Sequence, residues 1–431
     1  MRARSRSRWW VASAWVLLAA VGPAGWSAPI AKWAVLGYLS GDGSLEPVAL
    51  EYLQRLASAP GTGGVAVAAQ VDRSPGFSDE LGDFTDTRRV VFEGTNPRAA
   101  RTWRWSAWHT EANMGDPQTL AEFLAWGART LPAERYAVLL MGHGSGVRPL
   151  LREGGERDHG VAYDATSDGD SLTPEEIATA GRSFAETLGG RKIAILAVDA
   201  CFSASVEVAH DAASFAEFMT GSPDLLYEPG VPWDQVLRQI CASPDMSAET
   251  VATLAVEAVR ASQEASGAPR GSYAAARLSR TTELQVAVSA LSEASCRSMR
   301  DAAPAITAAR AQAARGGLSG EQVDLAGFLG ALSDEAQAAG LPEVGGAASE
   351  ARRALEAMVI ASYSGDTDQR GGPLWTWSAF FPPNLTAFPA DYLDKSGFAR
   401  QSGWGAFLDA YLGHLQRLMS PMTTGDADNR N

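Results

Sequence analysis

The stretch Ile193-Ala-Ile-Leu-Ala-Val-Asp199-Ala-Cys201-Phe-Ser-Ala-Ser205 decides the fold class. Its first six residues are all apolar, with no polar alternation, and that pattern belongs to a strand buried on both faces of a parallel sheet. The run ends in an aspartate and a cysteine before a helix-like segment. Upstream, Ala137-Val-Leu-Leu-Met-Gly-His143-Gly-Ser-Gly146 has the same form, an apolar strand that opens into a glycine-rich turn at a histidine. Two further runs, Ala34 to Ser40 and Val65 to Val71, read as strands. Helical patterns lie between the runs, at Leu45 to Ser58 and Gln118 to Thr130. A third helix begins at Thr173-Pro-Glu-Glu176, where a threonine N-cap, a proline in the first turn and a glutamate three residues on make a capping box. Strands alternating with helices predict an α/β domain over residues 29–240, its mostly parallel sheet flanked by helices.

Two more strands are expected, at Phe215 to Thr220 and at Trp375 to Phe381. Beyond Cys241 the composition shifts to Ala-rich segments of helical period, Ser247 to Ser266, Arg280 to Ala303 and Gln322 to Ala339. Residues 241–431 therefore read as a mainly helical C-terminal region. Within it the strand near 375–381, ended by two prolines, is expected to return to the edge of the sheet.

The chain has 431 residues, 46% apolar and 20% charged, with three cysteines. That is enough apolar material for a large core, and too few cysteines for a disulfide-stapled scaffold or a multi-cysteine zinc site. There are 36 basic residues against 50 acidic ones, a formal charge of −14. No basic footprint for nucleic acid exists, and a charge-steered partner should be cationic. Residues 1–28 read as an export signal: Arg2, Arg4, Arg6 and Arg8 precede a short apolar run, then small residues. Removal of the signal leaves 32 basic residues against 50 acidic, a net charge of −18. The mature protein is expected in the periplasm, at the cell surface or outside the cell, with no stable membrane span.

In a parallel sheet the carboxyl ends of the strands share one edge, where ligands bind, so His143 and Cys201 should meet despite a separation of 58 positions. A thiol needs a base beside it to act as a nucleophile at neutral pH, and a histidine supplies one. The N–H of Gly144, unshielded by a side chain, and that of Cys201 are suited to an oxyanion hole. Strand alternation puts Asp199 on the same face as Cys201, where a carboxylate can receive a guanidinium or an ammonium group. The competing reading is structural: Cys201 as a small core residue and His143 as a turn residue, in a catalytically silent binding or scaffold protein.

The ordered set of motifs resembles the clostripain family of cysteine peptidases, grouped with the caspases, gingipains, legumain and separase. The set comprises Tyr38-Leu-Ser-Gly-Asp-Gly-Ser-Leu45-Glu46, Asn113-Met-Gly-Asp-Pro-Gln-Thr-Leu120, Tyr136 to Gly146, Asp164 to Thr173, Val198-Asp-Ala-Cys201, Ser205 to Ala209 and Trp377-Ser-Ala-Phe-Phe-Pro382. The resemblance implies a caspase-like sheet, a dyad of His143 and Cys201, and peptide or protein substrates with Arg or Lys before the scissile bond. Asp199 falls on the position that faces the basic side chain. A second pocket acid is expected in Ser222 to Trp233, where Asp224 and Glu228 both fit and Glu228 is preferred. Self-cleavage between His143 and Cys201 is also implied, with Arg157 the favoured site and Arg152 the other.

No cofactor is required on this reading, and calcium is the ion that the spacing admits. Asp164-x-Thr166-x-Asp168-Gly169-Asp170, followed by Glu175, approaches a calcium loop, although a turn leading into the capped helix explains the same residues. His109, His159, His210 and His414 show no metal-ligand spacing, and Trp103, Trp105 and Trp108 read as packing residues. With Cys201 the reactive thiol, Cys241 and Cys296 remain as a candidate disulfide.

Overall fold

A computed structural model describes residues 30–58, 64–94, 101–106, 111–146, 150–151, 157–158, 160–267, 271–313, 320–365, 376–389 and 392–419. The expected export signal and Arg152 lie outside them. The strands are β1 (Ala31–Gly41), β2 (Val65–Arg73), β3 (Arg88–Glu93), β4 (Thr102–Ser106) and β5 (Ala133–Met141), followed by the short β6 (Leu150–Leu151) and β7 (Arg157–Asp158). Then come β8 (Val161–Asp164), β9 (Asp170–Leu172), β10 (Ile193–Asp199), β11 (Ala216–Gly221), β12 (Ser272–Arg277), β13 (Gln322–Asp324), β14 (Val359–Ser364) and β15 (Ser378–Phe380). Helices of the first half are α1 (Glu46–Ser58), α2 (Pro117–Thr130), α3 (Pro174–Thr187), α4 (Val206–Ala212), α5 (Trp233–Ala242) and α6 (Ala248–Ala265). They are followed by α7 (Thr281–Arg297), α8 (Met299–Ala313), α9 (Leu325–Ala338), α10 (Pro342–Met358), α11 (Tyr392–Lys395), α12 (Gly397–Gln401) and α13 (Trp404–Met419).

Among the described residues the main sheet has nine strands in the order β14-β12-β11-β10-β5-β1-β2-β3-β4. Its centre, β11-β10-β5-β1-β2, is parallel throughout, and antiparallel pairs extend both flanks. The continuous apolar runs are the parallel centre, as covering on both faces requires. Side chains along β1 alternate between the two cores. Trp33, Val35 and Leu39 face α1, α5 and α6, whereas Ala34, Leu36 and Tyr38 face α2, α3 and the C-terminal helices. β1 lies between β2 and β5, so the chain's progression across the sheet reverses there, and the carboxyl ends beside that reversal form the natural crevice.

α3 starts as its sequence predicts: Thr173 accepts from the Glu176 N–H, and the Glu176 side chain accepts from the Thr173 N–H. Residues beyond 240 contribute two strands to the main sheet, β12 and β14, as well as helices. The returning strand is β15. It pairs antiparallel with β13 and makes a parallel bridge to Ser205, instead of joining the edge of the main sheet, which β14 occupies. The buried Glu207 of α4 secures this region, accepting from the Phe380 N–H and the Tyr392 hydroxyl, both at 2.9 Å.

Candidate active site

β5 ends at Met141, and the chain turns through Gly142, His143 and Gly144. Gly144 forms an antiparallel bridge with Val161. The hydrogen bonds of that bridge come from its neighbours, Ala162 N–H to the His143 carbonyl at 3.2 Å and Ser145 N–H to the Gly160 carbonyl at 3.0 Å. In such a pair the central residue's own N–H faces away from the ladder. A Cβ on Gly144 would stand 2.6 Å from both the Cys201 carbonyl oxygen and the Ala200 Cβ, so this close approach of the two strand ends requires glycine.

β10 delivers Asp199 and then breaks sharply. Ser203 straps the turn by donating its hydroxyl to the Val198 and Ala200 carbonyls and accepting from the Ser222 N–H at 3.0 Å. Phe202, directly after the cysteine, has φ 55°, a left-handed conformation costly for a bulky residue. Its N–H donates to the Asp224 carbonyl at 2.8 Å. Cys201 is half-buried, and its Sγ accepts from the Leu226 N–H at 3.3 Å. Burial pushes the thiol up, the Leu226 N–H works the other way, and the Asp224 charge adds to the rise.

His143 and Cys201 line one cavity of about 450 Å³ together with Tyr52, Asp199, Leu226 and Glu228. The His143 side chain is open to solvent on one side, and partial desolvation by the cleft lowers its pKa below the ordinary value. The Ser44 hydroxyl lies 3.0 Å from His143 Nε2. Asp199 is 3% exposed. One of its oxygens accepts from the Tyr273 hydroxyl and the other from the Trp233 indole N–H, each at 2.6 Å. Burial pushes Asp199 up to about 6, opposed by hydrogen bonds from Tyr273, Trp233 and Tyr52. Each oxygen keeps a second lone pair, so the carboxylate can still receive a cationic group.

Glu228 is exposed and lines the cavity. Asp224 is buried beside the Cys201 turn, its Oδ1 has no hydrogen-bond partner, and burial pushes it up to about 6. The Arg157 backbone pairs with Leu151 in a two-residue ladder. Of the calcium-loop residues, only Asp164 enters a converging group of carboxylates. Its partners there are Asp42, Asp72 and Glu111. Asp168 sits in the turn at φ 58°, Asp170 accepts from the Asn113 side chain, and Glu175 belongs to the first turn of α3. All three cysteines are free thiols, and Cys241 contacts the Arg101 guanidinium at 3.8 Å. Sequence reading gave no role to Ser44, Tyr52, Trp233 or Tyr273. Ser44 lies within a quoted motif and Trp233 ends a quoted segment, whereas Tyr52 and Tyr273 come to the cavity floor only through packing of α1 and β12.

A sequence profile of the Clostripain family matches residues 96–344. Clostripain of Hathewaya histolytica is 26% identical over 243 residues, which are 52% of this chain and 45% of that protein. The chain thus spans about half the length of this curated relative. A secreted C11 cysteine protease from Bacteroides thetaiotaomicron, solved with an irreversible peptide inhibitor, superposes with a TM-score of 0.63 at 15% identity, covering 87% of this chain and 99% of that one. An inactive zymogen C11 protease from Parabacteroides distasonis gives 0.55 at 15% identity, over 86% and 98% of the two chains. These structures share the caspase-like fold expected from the sequence. The profile match extends over more than half of the residues, from before β4 into α10, and includes both strand ends that carry His143 and Cys201, so the chain belongs to the clostripain family.

Proposed function

We propose that the protein is an exported cysteine endopeptidase that cleaves after Arg or Lys. The observation that carries this reading is the shared cavity: His143 and Cys201 open into it above a buried, doubly hydrogen-bonded Asp199. The basic side chain before the scissile bond enters the cavity and meets Asp199, a charge-assisted contact strengthened by burial. Glu228 at the exposed wall is the second acid. With Nε2 engaged by Ser44, Nδ1 of His143 is the nitrogen that takes the thiol proton as Sγ attacks the carbonyl carbon. The Gly144 and Cys201 N–H groups receive the developing oxyanion. His143 then protonates the leaving amine, and water, deprotonated by the same imidazole, hydrolyses the thioester.

Burial raises the thiol and lowers the imidazole, so both shifts favour the neutral forms, and the proton passes from Sγ to His143 in the attack step itself. Self-cleavage at Arg157 or Arg152 is the proposed maturation step, and residues 1–28 direct export. Among the described residues no helix is long and apolar enough to cross a membrane. The test is hydrolysis of reporter peptides ending in Arg, Lys, Asp or Leu, under reducing conditions, by the chain before and after any nick. Cys201→Ala should lower Arg and Lys hydrolysis by at least about a thousandfold and leave the melting temperature unchanged. Absence of Arg and Lys cleavage in both forms would leave the silent scaffold as the better reading.

A further inference from the structure

Asp199 is held by neutral donors that come from two other elements. Tyr273 of β12 donates its hydroxyl to Oδ1 and Trp233 of α5 its indole N–H to Oδ2, each at 2.6 Å. Both side chains are fully buried, and they stand behind the carboxylate, not among the residues that line the cavity. The Tyr273 hydroxyl gives its proton to Asp199, so at 3.0 Å it accepts from the buried Thr220 hydroxyl of β11. The hydroxyls therefore point one way, from Thr220 to Tyr273 to Asp199, and each polarises the next. On α1, the Tyr52 hydroxyl accepts from the Val231 N–H at 2.9 Å, and Arg55 is tied to Glu51 at 2.6 Å and to the Val231 carbonyl at 2.7 Å. Arg55 aids ionisation of Asp199 only through its field. Around the cavity the other titratable groups are His143, Cys201 and Glu228. A carboxylate paired with an internal guanidinium would meet a substrate cation already neutralised, whereas hydroxyl and indole donors leave its charge uncompensated.

We propose that Tyr273 and Trp233, with Thr220 behind Tyr273, are positioning residues that fix the Asp199 carboxylate and keep its charge for the substrate, and so set the preference for a cationic side chain over an uncharged one of the same shape. The inference rests on the proposed role of Asp199 in the pocket. None of the three touches a reacting atom. One consequence concerns the division of the chain: β12 lies beyond residue 240, so a strand of the C-terminal region completes the specificity pocket of the peptidase sheet.

The test compares the full chain with Tyr273→Phe, Trp233→Phe and Thr220→Val on an arginine peptide and its citrulline counterpart across the pH range. Tyr273→Phe keeps the ring and removes one donor to the charged form, so the pH at which the arginine-to-citrulline ratio of kcat/KM rises should move up by about one unit. At about pH 6 this variant should be about fivefold slower than the parent on the arginine peptide, with near parity above about pH 8.5 and no change on citrulline. Trp233→Phe should act likewise, and Thr220→Val in the same direction by less. A merely structural role would lower both substrates alike at every pH. Ionisation of Asp199 is also read without catalysis, from the carboxyl carbon NMR signal of the aspartate-labelled Cys201→Ala chain, assigned by its loss in Asp199→Asn. Adding Tyr273→Phe should move that titration up by the same unit. Should Tyr273→Phe lose its cooperative melt, Thr220→Val, one hydroxyl further from Asp199, carries both measurements. A parent that cleaves no basic peptide overturns the pocket reading and this inference with it. A parent whose ratio rises with pH, while the variants leave the ratio and the carboxyl titration in place, overturns the role of the donors alone.

Discussion

Asp199 arrives at the cavity with both carboxylate oxygens already bonded and its pKa lifted to about 6. A substrate guanidinium gains fully from the carboxylate only when it is ionised, which happens as pH rises through 6. For the free enzyme, kcat/KM on an arginine peptide divided by that on its uncharged citrulline counterpart should therefore rise through about pH 6 and level off above it. The His143 titration is common to both substrates and cancels in the ratio. A pH-independent ratio would remove Asp199 from specificity. Asp199→Asn should lower kcat/KM for arginine peptides about a hundredfold or more and flatten the ratio. The place of Asp199 on the cavity wall beside Cys201 was legible in the sequence because its alternation with Cys201 is local to one strand. Its two hydrogen-bond donors were not, because Trp233 and Tyr273 come from elements 34 and 74 residues away.

At the scale of elements, the two strand-end turns are built against each other. Gly144→Ala would place a methyl group 2.6 Å from the Cys201 carbonyl and the Ala200 Cβ, so one turn must retreat from the other. Loss of one oxyanion donor costs about a hundredfold in kcat, and kcat on an arginine peptide should fall by that order with KM little changed. Steady-state kinetics at one pH decides it. A variant that keeps its kcat would separate Gly144 from the oxyanion hole. The parallel strands, α1, α2 and the capped α3 were readable because period and capping are set within a dozen residues. The edge strands β12 and β14 were not: Ser-Tyr-Ala-Ala-Ala-Arg277 and Val-Ile-Ala-Ser-Tyr-Ser364 have weak strand patterns, and their Ala-rich surroundings read as helix. The segment Gln322 to Ala339 hid a strand inside a helical reading, because three residues of β13 are too few to carry a period.

Across the whole molecule, the sequence boundary at residue 240 does not coincide with a break in packing. β11 pairs with β12 and β12 with β14, while α4 touches α7 and α12. One continuous core runs from Phe123 and Phe184 through Met219 to Leu284, Phe328, Phe381 and Trp404. A chain ended at residue 240 would expose the β11 edge and half of that core. It should fail to give a cooperative thermal transition and should be degraded by limited proteolysis, whereas the full chain melts cooperatively. A soluble, cooperatively melting 29–240 fragment would contradict this.

The contact between the Leu226 N–H and Cys201 Sγ has a consequence for how such a protein can diversify. The loop from Ser222 to Gly230 both walls the cavity, through Leu226, Tyr227, Glu228 and Gly230, and supplies the hydrogen bond that steadies a thiolate. Residues that wall the cavity and the donor to Cys201 Sγ thus lie on one loop of nine residues. On the proposed function, exchange of that loop between relatives should change reactivity along with selectivity, because the cavity wall and the donor to Sγ move together.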